Sequence, residues 1–194
     1  MWENPIVLKI PSDGKMTEEQ FFKFCQINQD LNIETNKFGE LLIMSPAGSE
    51  TGNREFNLCG QLWLWSEEDA TGLAFSSSAG FTLSTGAKKS PDASWIKLER
   101  WMSLSQEEKE RFAPICPDFV VELMSPSDSL KTLQVKMEEY MAEPGVKLGW
   151  LIDRKERKVY IYRPGMETEC LENPETVSGE AVLPGFVLKM SKVW

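Results

Sequence analysis

The stretch that decides the fold is FVVELM, residues 119–124, which SPSD follows at residues 125–128. If it forms a strand, side chains 119, 121 and 123 face one side of the sheet, and 120, 122 and 124 face the other. Both sides are apolar apart from Glu122, as is typical of a central strand covered on both faces. A buried carboxylate is costly unless it is paired or bound to a metal. Glu122 therefore belongs either to a structural ion pair or to a functional site.

The segment after this strand predicts a helix at about residues 129–142, with SPSD ending the strand and capping the helix. Leu133, Met137 and Tyr140 recur at i, i+4 and i+7, so they define its buried stripe. Lys136 points along this stripe. Either its ammonium group belongs to a site, or it reaches solvent while its stem covers apolar surface. Tyr140 is expected in the core, with its hydroxyl near the site.

Upstream, Asp92 follows a proline and opens a predicted strand at residues 92–97. Alone it could be a turn or cap residue. Asp118 also follows a proline, but it lies on the same strand as Glu122, whereas a site needs carboxylates that converge from neighbouring strands. We therefore predict Asp92 as the functional aspartate. Glu34, in a predicted N-terminal hairpin, can face either side and is a further candidate.

The composition restricts the chemistry that this chain can perform. Its 194 residues predict a single domain, 1–194. The absence of histidine excludes Ser-His-Asp triads, Cys-His pairs and zinc held by histidine. The four cysteines form no CxxC pair, which indicates free thiols in a reducing cytoplasm. Catalysis must therefore depend on carboxylates, lysine, hydroxyls or a metal with oxygen ligands.

Charge and hydropathy bear on partners and location. The net charge of −9 opposes non-specific binding of nucleic acid, which depends on Lys and Arg at phosphates. Lys88, Lys89 and Lys131 form a candidate basic patch that could offset it locally. No window approaches the ~18 apolar residues of a membrane span, and no signal peptide is visible. We therefore expect a cytoplasmic protein with no membrane partner.

The remaining pattern predicts a mixed sheet flanked by helices, an α/β or α+β domain. A first helix should begin after Thr17, which forms a capping-box pattern with Gln20. A second helix is expected at about residues 50–66, with its larger apolar side chains turned largely inward: Phe56, Cys59, Leu62, Trp63 and Trp65. Other predicted elements are a short helix from residue 103 or 105 to 112 and strands at residues 31–35, 41–44, 72–75, 81–83, 146–153, 158–163, 170–171 and 181–188, with Pro184-Gly185 between the strands of the tail.

The candidate residues suit one kind of chemistry. Two carboxylates about 4 Å from a shared point can bind Mg²⁺, which prefers oxygen ligands and keeps several waters. Such a metal lowers the pKa of a bound water and neutralises charge that builds on a phosphate. A nearby lysine can orient the nucleophile and stabilise the transition state. Asp92, Glu122 and Lys136 thus predict metal-dependent hydrolysis of phosphodiesters, with Mg²⁺ or Mn²⁺ as cofactor.

Four motifs in this order and spacing resemble the Uma2 family of the PD-(D/E)XK restriction-endonuclease-like superfamily: PD at 91–92, VELMSPSD at 121–128, KMEEY at 136–140 and GWLID at 149–153. The similarity spans roughly residues 17–163. It implies a restriction-endonuclease-like core with an N-terminal hairpin. Asp92 and Glu122 would then be the metal ligands, together with the backbone carbonyl of Leu123. The superfamily's motif lysine would fall at Met124 and is missing, so Lys136 would replace it from the helix.

Together these observations predict an endonuclease that hydrolyses DNA, with Asp92, Glu122, Lys136 and Glu34 at its site. A homodimer is expected, because two cuts on a duplex need two sites and two-fold dimers are the commonest oligomers. The alternative is a non-catalytic binding or regulatory protein on a nuclease-like scaffold, favoured by the acidic charge and the missing motif lysine. Convergence of the candidates in an open cleft favours the enzyme, whereas a closed ion pair favours the scaffold.

Overall fold

A computed structural model describes the backbone of residues 6–8, and both the backbone and the side chains of residues 16–44 and 46–194. Its strands are β1 (Ile6–Leu8), β2 (Asn32–Thr35), β3 (Leu41–Met44), β4 (Gly72–Ser76), β5 (Phe81–Thr82), β6 (Lys88–Lys89), β7 (Ala93–Lys97), β8 (Phe119–Leu123), β9 (Leu148–Asp153), β10 (Lys158–Tyr162), β11 (Glu169–Glu172), β12 (Thr176–Ser178) and β13 (Val187–Lys189). Its helices are α1 (Glu18–Ile27), α2 (Ser49–Asp69), α3 (Leu98–Met102), α4 (Gln106–Lys109), α5 (Leu130–Met141) and a 3₁₀ turn, Met190–Lys192.

The main sheet has the strand order β11-β10-β9-β8-β7-β4. Neighbours are antiparallel except β8 and β9, which pair in parallel. A parallel pair needs a crossover connection, and here α5 provides it. Strands β1, β3 and β2 form a separate antiparallel sheet at the N-terminal side. The predicted fold class, a mixed central sheet flanked by helices with an N-terminal hairpin, is confirmed.

Strand β8 is buried along its whole length and separates two apolar layers. Phe119, Val121 and Leu123 pack with Leu62 of α2 on one side. Val120 packs with Met137 and Tyr140 of α5 on the other side. The alternation predicted from the sequence is therefore correct, and it places Glu122 on the face that α5 covers.

Helix α2 departs from the prediction in the face that it buries. Phe56 and Trp63 were expected to point inward, but they are 75% and 55% exposed. Leu62 was predicted correctly and is fully buried, and Cys59 and Trp65 pack partly buried against the same core. Leu58, four positions before Leu62, is the buried apolar residue that was not predicted. Phe56 and Trp63, spaced i, i+7, share one face of the helix, whereas Leu58 and Leu62 lie on the opposite side, and that aliphatic stripe packs against the core.

Most other elements lie close to their predicted positions, whereas β1, β6 and β12 were not predicted. Thr17 caps α1 in a capping box with Gln20, as the sequence indicates. In the tail, the predicted break at Pro184-Gly185 is present as a turn with Gly185 at φ 80°, and of residues 181–188 only the end belongs to a strand, β13, which pairs with β12. Helix α3 follows β7 directly and was not expected. Within the described part of the chain, no helix is long and apolar enough to span a membrane.

Candidate active site

The structure brings the four predicted site residues together. Asp92 precedes β7, Glu122 lies on β8, Lys136 on α5 and Glu34 on β2, and all four line one cavity of about 290 Å³. The register of the sheet explains part of this convergence: Ala93 of β7 pairs with Val121 of β8, so Asp92 and Glu122 come at neighbouring ends of adjacent strands.

Lys136 is held between two carboxylates. Its Nζ atom lies 2.8 Å from Oε1 of Glu34 and 2.8 Å from Oε1 of Glu122. The hydroxyl of Tyr140 also donates to Oε1 of Glu122, at 3.1 Å. The interpretation of Lys136 as a side chain that reaches solvent is therefore wrong, while the predicted position of the Tyr140 hydroxyl is correct.

The environment shifts the acid–base properties of this pair. Burial raises the pKa of Glu122 to about 7, although the ammonium group of Lys136 opposes the shift. Burial alone would lower the pKa of Lys136, but the charges of Glu122 and Glu34 raise it above its ordinary value. Lys136 therefore remains an ammonium group at neutral pH and cannot act as a general base.

Asp92 is also buried beside like charge. Burial, and then the charge of Glu122, raise its pKa well above the ordinary value, although Lys136 opposes them. Oδ2 of Asp92 accepts a hydrogen bond from the N–H of Leu123 at 2.6 Å, which fixes the carboxylate against β8. Leu123 thus touches the site through its amide and lines the cavity. The predicted role of its carbonyl as a metal ligand stays a prediction.

The donor set fits a hard divalent cation. Asp92 and Glu122 face the same cavity, and the charge of Glu122 raises the energetic cost of ionising Asp92, which a bound cation would offset. Among the described residues, no group of three or more acidic or cysteine side chains is arranged to hold a metal. Two carboxylates suit Mg²⁺, which usually binds to one or two of them and keeps several waters.

Sequence reasoning missed Glu55, a third carboxylate at the cavity. It lies on α2, accepts a hydrogen bond from the hydroxyl of Ser77, and its charge contributes to the raised pKa of Asp92. The signal that could have found it is its spacing, because Glu55 lies three positions before Leu58 and seven before Leu62, on the buried stripe of α2. Ser125 and Asp128 also line the cavity, where the N–H of Ser125 donates to Oδ2 of Asp128 at 2.7 Å.

The predicted basic patch is wrong for two of its members. The side chains of Lys88 and Lys89 are only 6% and 4% exposed. Lys88 pairs with Glu18, and Nζ of Lys89 lies 2.9 Å from Glu139. These lysines stabilise the fold and offer no surface to phosphate. Lys131 is exposed, as expected.

A mixed sheet whose adjacent central strands present two carboxylates beside a lysine defines a nuclease fold of the restriction-endonuclease-like class. The model of the Uma2 family, described as "putative restriction endonuclease", matches residues 18–191. The chain belongs to the Uma2 family.

A solved structure shares this architecture. It is described as a putative nuclease belonging to DUF820 from Anabaena variabilis, and it superposes with a TM-score of 0.72 over 92% of this chain and 97% of its own. At 20% identity, this similarity establishes the fold that the two chains share. No curated protein matches the chain significantly.

Proposed function

We propose that this protein is a Mg²⁺- or Mn²⁺-dependent endonuclease that hydrolyses phosphodiester bonds of DNA. One observation carries the proposal: Asp92, Glu122 and Lys136 come from three separate elements to line the same cavity. The family description and the nuclease fold of the Anabaena structure support the reaction class. The homodimer predicted above is part of the proposal, since cutting both strands of a duplex needs two sites.

In this proposal Asp92 and Glu122 hold the metal, with the carbonyl of Leu123 as a further ligand. A bound metal would lower the pKa of an attacking water and offset charge on the phosphate. The protein's own contribution is to fix the carboxylates beforehand. Asp92 is oriented by the N–H of Leu123, and Glu122 by the hydroxyl of Tyr140.

Lys136 supplies a fixed positive charge. Because its pKa is raised, it acts as an ammonium donor to a phosphate oxygen or to the attacking water. Glu34 is its positioning residue: Oε1 of Glu34 accepts from Lys136 at 2.8 Å and from the N–H of Ser90 at 3.0 Å. Since donors in fixed positions need no reorganisation during the reaction, this arrangement favours the transition state over the ground state.

The non-catalytic alternative keeps one observation in its favour. Lys136 contacts Glu34 and Glu122 at equal short distances, as a purely structural ion cluster would. A cluster of that kind does not by itself explain why Asp92 is placed beside Glu122 at the same cavity, where burial and like charge both oppose its ionisation. The enzyme interpretation explains both features, and so we favour it.

The test is nicking of supercoiled plasmid with Mn²⁺ by the wild type and by Asp92→Asn. We expect EDTA to stop the reaction and Asp92→Asn to slow it by at least about 100-fold, the loss typical of removing a group that stabilises transition-state charge. Asp30→Asn, which removes an exposed carboxylate outside the cavity, is the matched control. Equal nicking by wild type and Asp92→Asn would indicate a contaminating nuclease, and no nicking by wild type would favour the non-catalytic alternative.

A further inference from the structure

A second cavity, of about 590 Å³, adjoins the candidate active site. Ser125 and Asp128 line both cavities, so the two are continuous across the start of the SPSD segment. The wall opposite is basic: Arg54 reaches in from α2, and Arg154 and Lys155 come from the turn between β9 and β10. No feature of the candidate mechanism uses these three side chains.

The two arginines have unmet hydrogen-bonding capacity. Within the described residues, the Nε atoms of Arg54 and Arg154 are buried and have no hydrogen-bond partner. Unpaired buried donors are rare in proteins, and because these two atoms are closed to solvent, an anion in the cavity would be bound by the outer nitrogens of the guanidinium groups. Arg154 makes one long hydrogen bond, 3.3 Å to the hydroxyl of Thr51, and Arg54 pairs with Glu50 from the solvent side.

The arginines also stand close enough to repel each other. Burial, and then the charge of Arg54, lower the pKa of Arg154. An anion between them would remove this repulsion and accept from their guanidinium groups, which match phosphate geometry. The first turn of α2 contributes Thr51 to the active-site cavity, and Arg54, in its second turn, lines the second cavity.

Three carboxylates, those of Asp128, Asp153 and Glu156, also line this cavity and equal the basic side chains in number, so an anion would bind only where the guanidinium groups are nearer to it. Oδ2 of Asp128 accepts from the N–H of Ser125 at 2.7 Å, and Oδ1 of Asp153 accepts from the N–H of Glu156 at 3.0 Å. Each of these carboxylates is thus engaged by a backbone amide of its own turn, and Glu156 itself is exposed.

We propose that Arg54 and Arg154 bind the backbone phosphate next to the scissile one on the substrate strand. This inference rests on the proposed function, since it extends the path of the strand out of the active site through Ser125. It also resolves a difficulty of charge: a protein with net charge −9 needs a local phosphate contact, and Lys88 and Lys89 are buried in other ion pairs.

The test compares binding of a fluorescent 20-base-pair DNA duplex, without divalent metal, to wild type and to the double variant Arg54→Gln/Arg154→Gln. We expect at least about tenfold weaker binding and a salt dependence, log K against log [NaCl], that is shallower by about 1, the amount for one lost phosphate contact. Lys23→Gln/Arg157→Gln removes the same charge from exposed positions outside both cavities and should bind nearly as the wild type does.

The outcomes separate this inference from the proposed function. A wild type that nicks plasmid while the double variant binds as tightly as wild type overturns the phosphate site and leaves the nuclease intact. A wild type that neither binds nor nicks DNA overturns both. If the double variant melts well below the wild type, the binding measurement is repeated with Arg154→Gln alone. An unchanged salt dependence of DNA binding by that single variant would also overturn the phosphate site.

Discussion

Asp118 and Glu122 are buried carboxylates at opposite ends of the same strand segment, and they differ in the charged groups that surround them. Asp118, just before β8, is fully buried; Arg100 donates to its Oδ2 at 2.7 Å and Lys147 lies 3.0 Å from its Oδ1. The N–H of Lys97 also donates to Oδ2, at 3.0 Å. Two cations and an amide thus surround one carboxylate, and Asp118 is not among the residues that line the active-site cavity.

Glu122, four residues later, has the opposite surroundings. Asp92, Glu34 and Glu55 line the same cavity as Glu122, where Lys136 is the cation that touches it. Its pKa is raised to about 7 by burial, against the effect of Lys136. The comparison teaches that burial alone does not mark a functional carboxylate. An excess of negative charge that faces a cavity does mark a functional carboxylate, because such an excess is stable only if a ligand or proton supplies the missing positive charge.

The largest loss of stability and activity is expected from Lys136→Met. The change leaves Glu34 and Glu122 buried without their shared cation, which costs roughly 3–5 kcal/mol of unfolding free energy. Plasmid nicking should also fall by about 100-fold or more, since the charge that stabilises the transition state is lost. Denaturant unfolding and the nicking assay measure the two effects.

A double-mutant cycle measures how much of that loss of stability comes from the interaction between Lys136 and Glu122. Glu122→Gln removes one of the stranded carboxylates, so Glu122→Gln/Lys136→Met should be more stable than Lys136→Met alone. Absence of such coupling would contradict the ion cluster. A large stability loss in Lys136→Met, combined with a wild type that has no nuclease activity, would support the non-catalytic alternative.

Metal addition tests the excess of negative charge directly. Mg²⁺ at about 100 times its dissociation constant should add about 2.7 kcal/mol of stability. Asp92→Asn should abolish this gain. Asp118→Asn should retain it, because Asp118 is outside the cavity. Identical melting of the wild type with Mg²⁺ and with EDTA would refute the metal site.

Asp118→Asn itself should cost less stability than Lys136→Met. The cations left behind can reach water, because Arg100 and Lys147 are 26% and 52% exposed. The remaining cost, roughly 1–3 kcal/mol, is that of buried hydrogen bonds left unsatisfied. Nicking per folded molecule should be unchanged, and a loss comparable to that of Asp92→Asn would mean that the wrong aspartate has been assigned to the site.

The sequence alone identified the central strand and its charged exception, because a single glutamate in an apolar run has few physical explanations. It also identified Lys136 and Asp92 correctly as neighbours of Glu122 in space. It failed where the answer depends on partners remote in sequence. Lys88 looks like a surface cation until Glu18, 70 residues earlier, is placed against it. Likewise, Glu55 looks solvated until Ser77 and the cavity are seen.

The smallest expected effect concerns Glu55. Its charge adds to the forces that raise the pKa of Asp92, but it is the last of the contributions to that shift. Glu55→Gln keeps an acceptor for Ser77 and removes one negative charge, so the stability of the metal-free protein should change by no more than about 0.5 kcal/mol, with a slight gain expected. The Mg²⁺ concentration that gives half of the thermal stabilisation should rise a few-fold, since the cavity attracts cations less strongly.

Glu67→Gln is the matched control for this change, because Glu67 lies on the same helix with its side chain in solvent. Neither its stability nor its Mg²⁺ response should differ measurably from wild type. If Glu55→Gln instead abolished the thermal stabilisation by Mg²⁺ as fully as Asp92→Asn, Glu55 would be a ligand of the metal rather than a distant charge. The metal would then have three carboxylates from three elements, and the excess of negative charge around Glu122 would be larger than the pKa of Asp92 alone indicates.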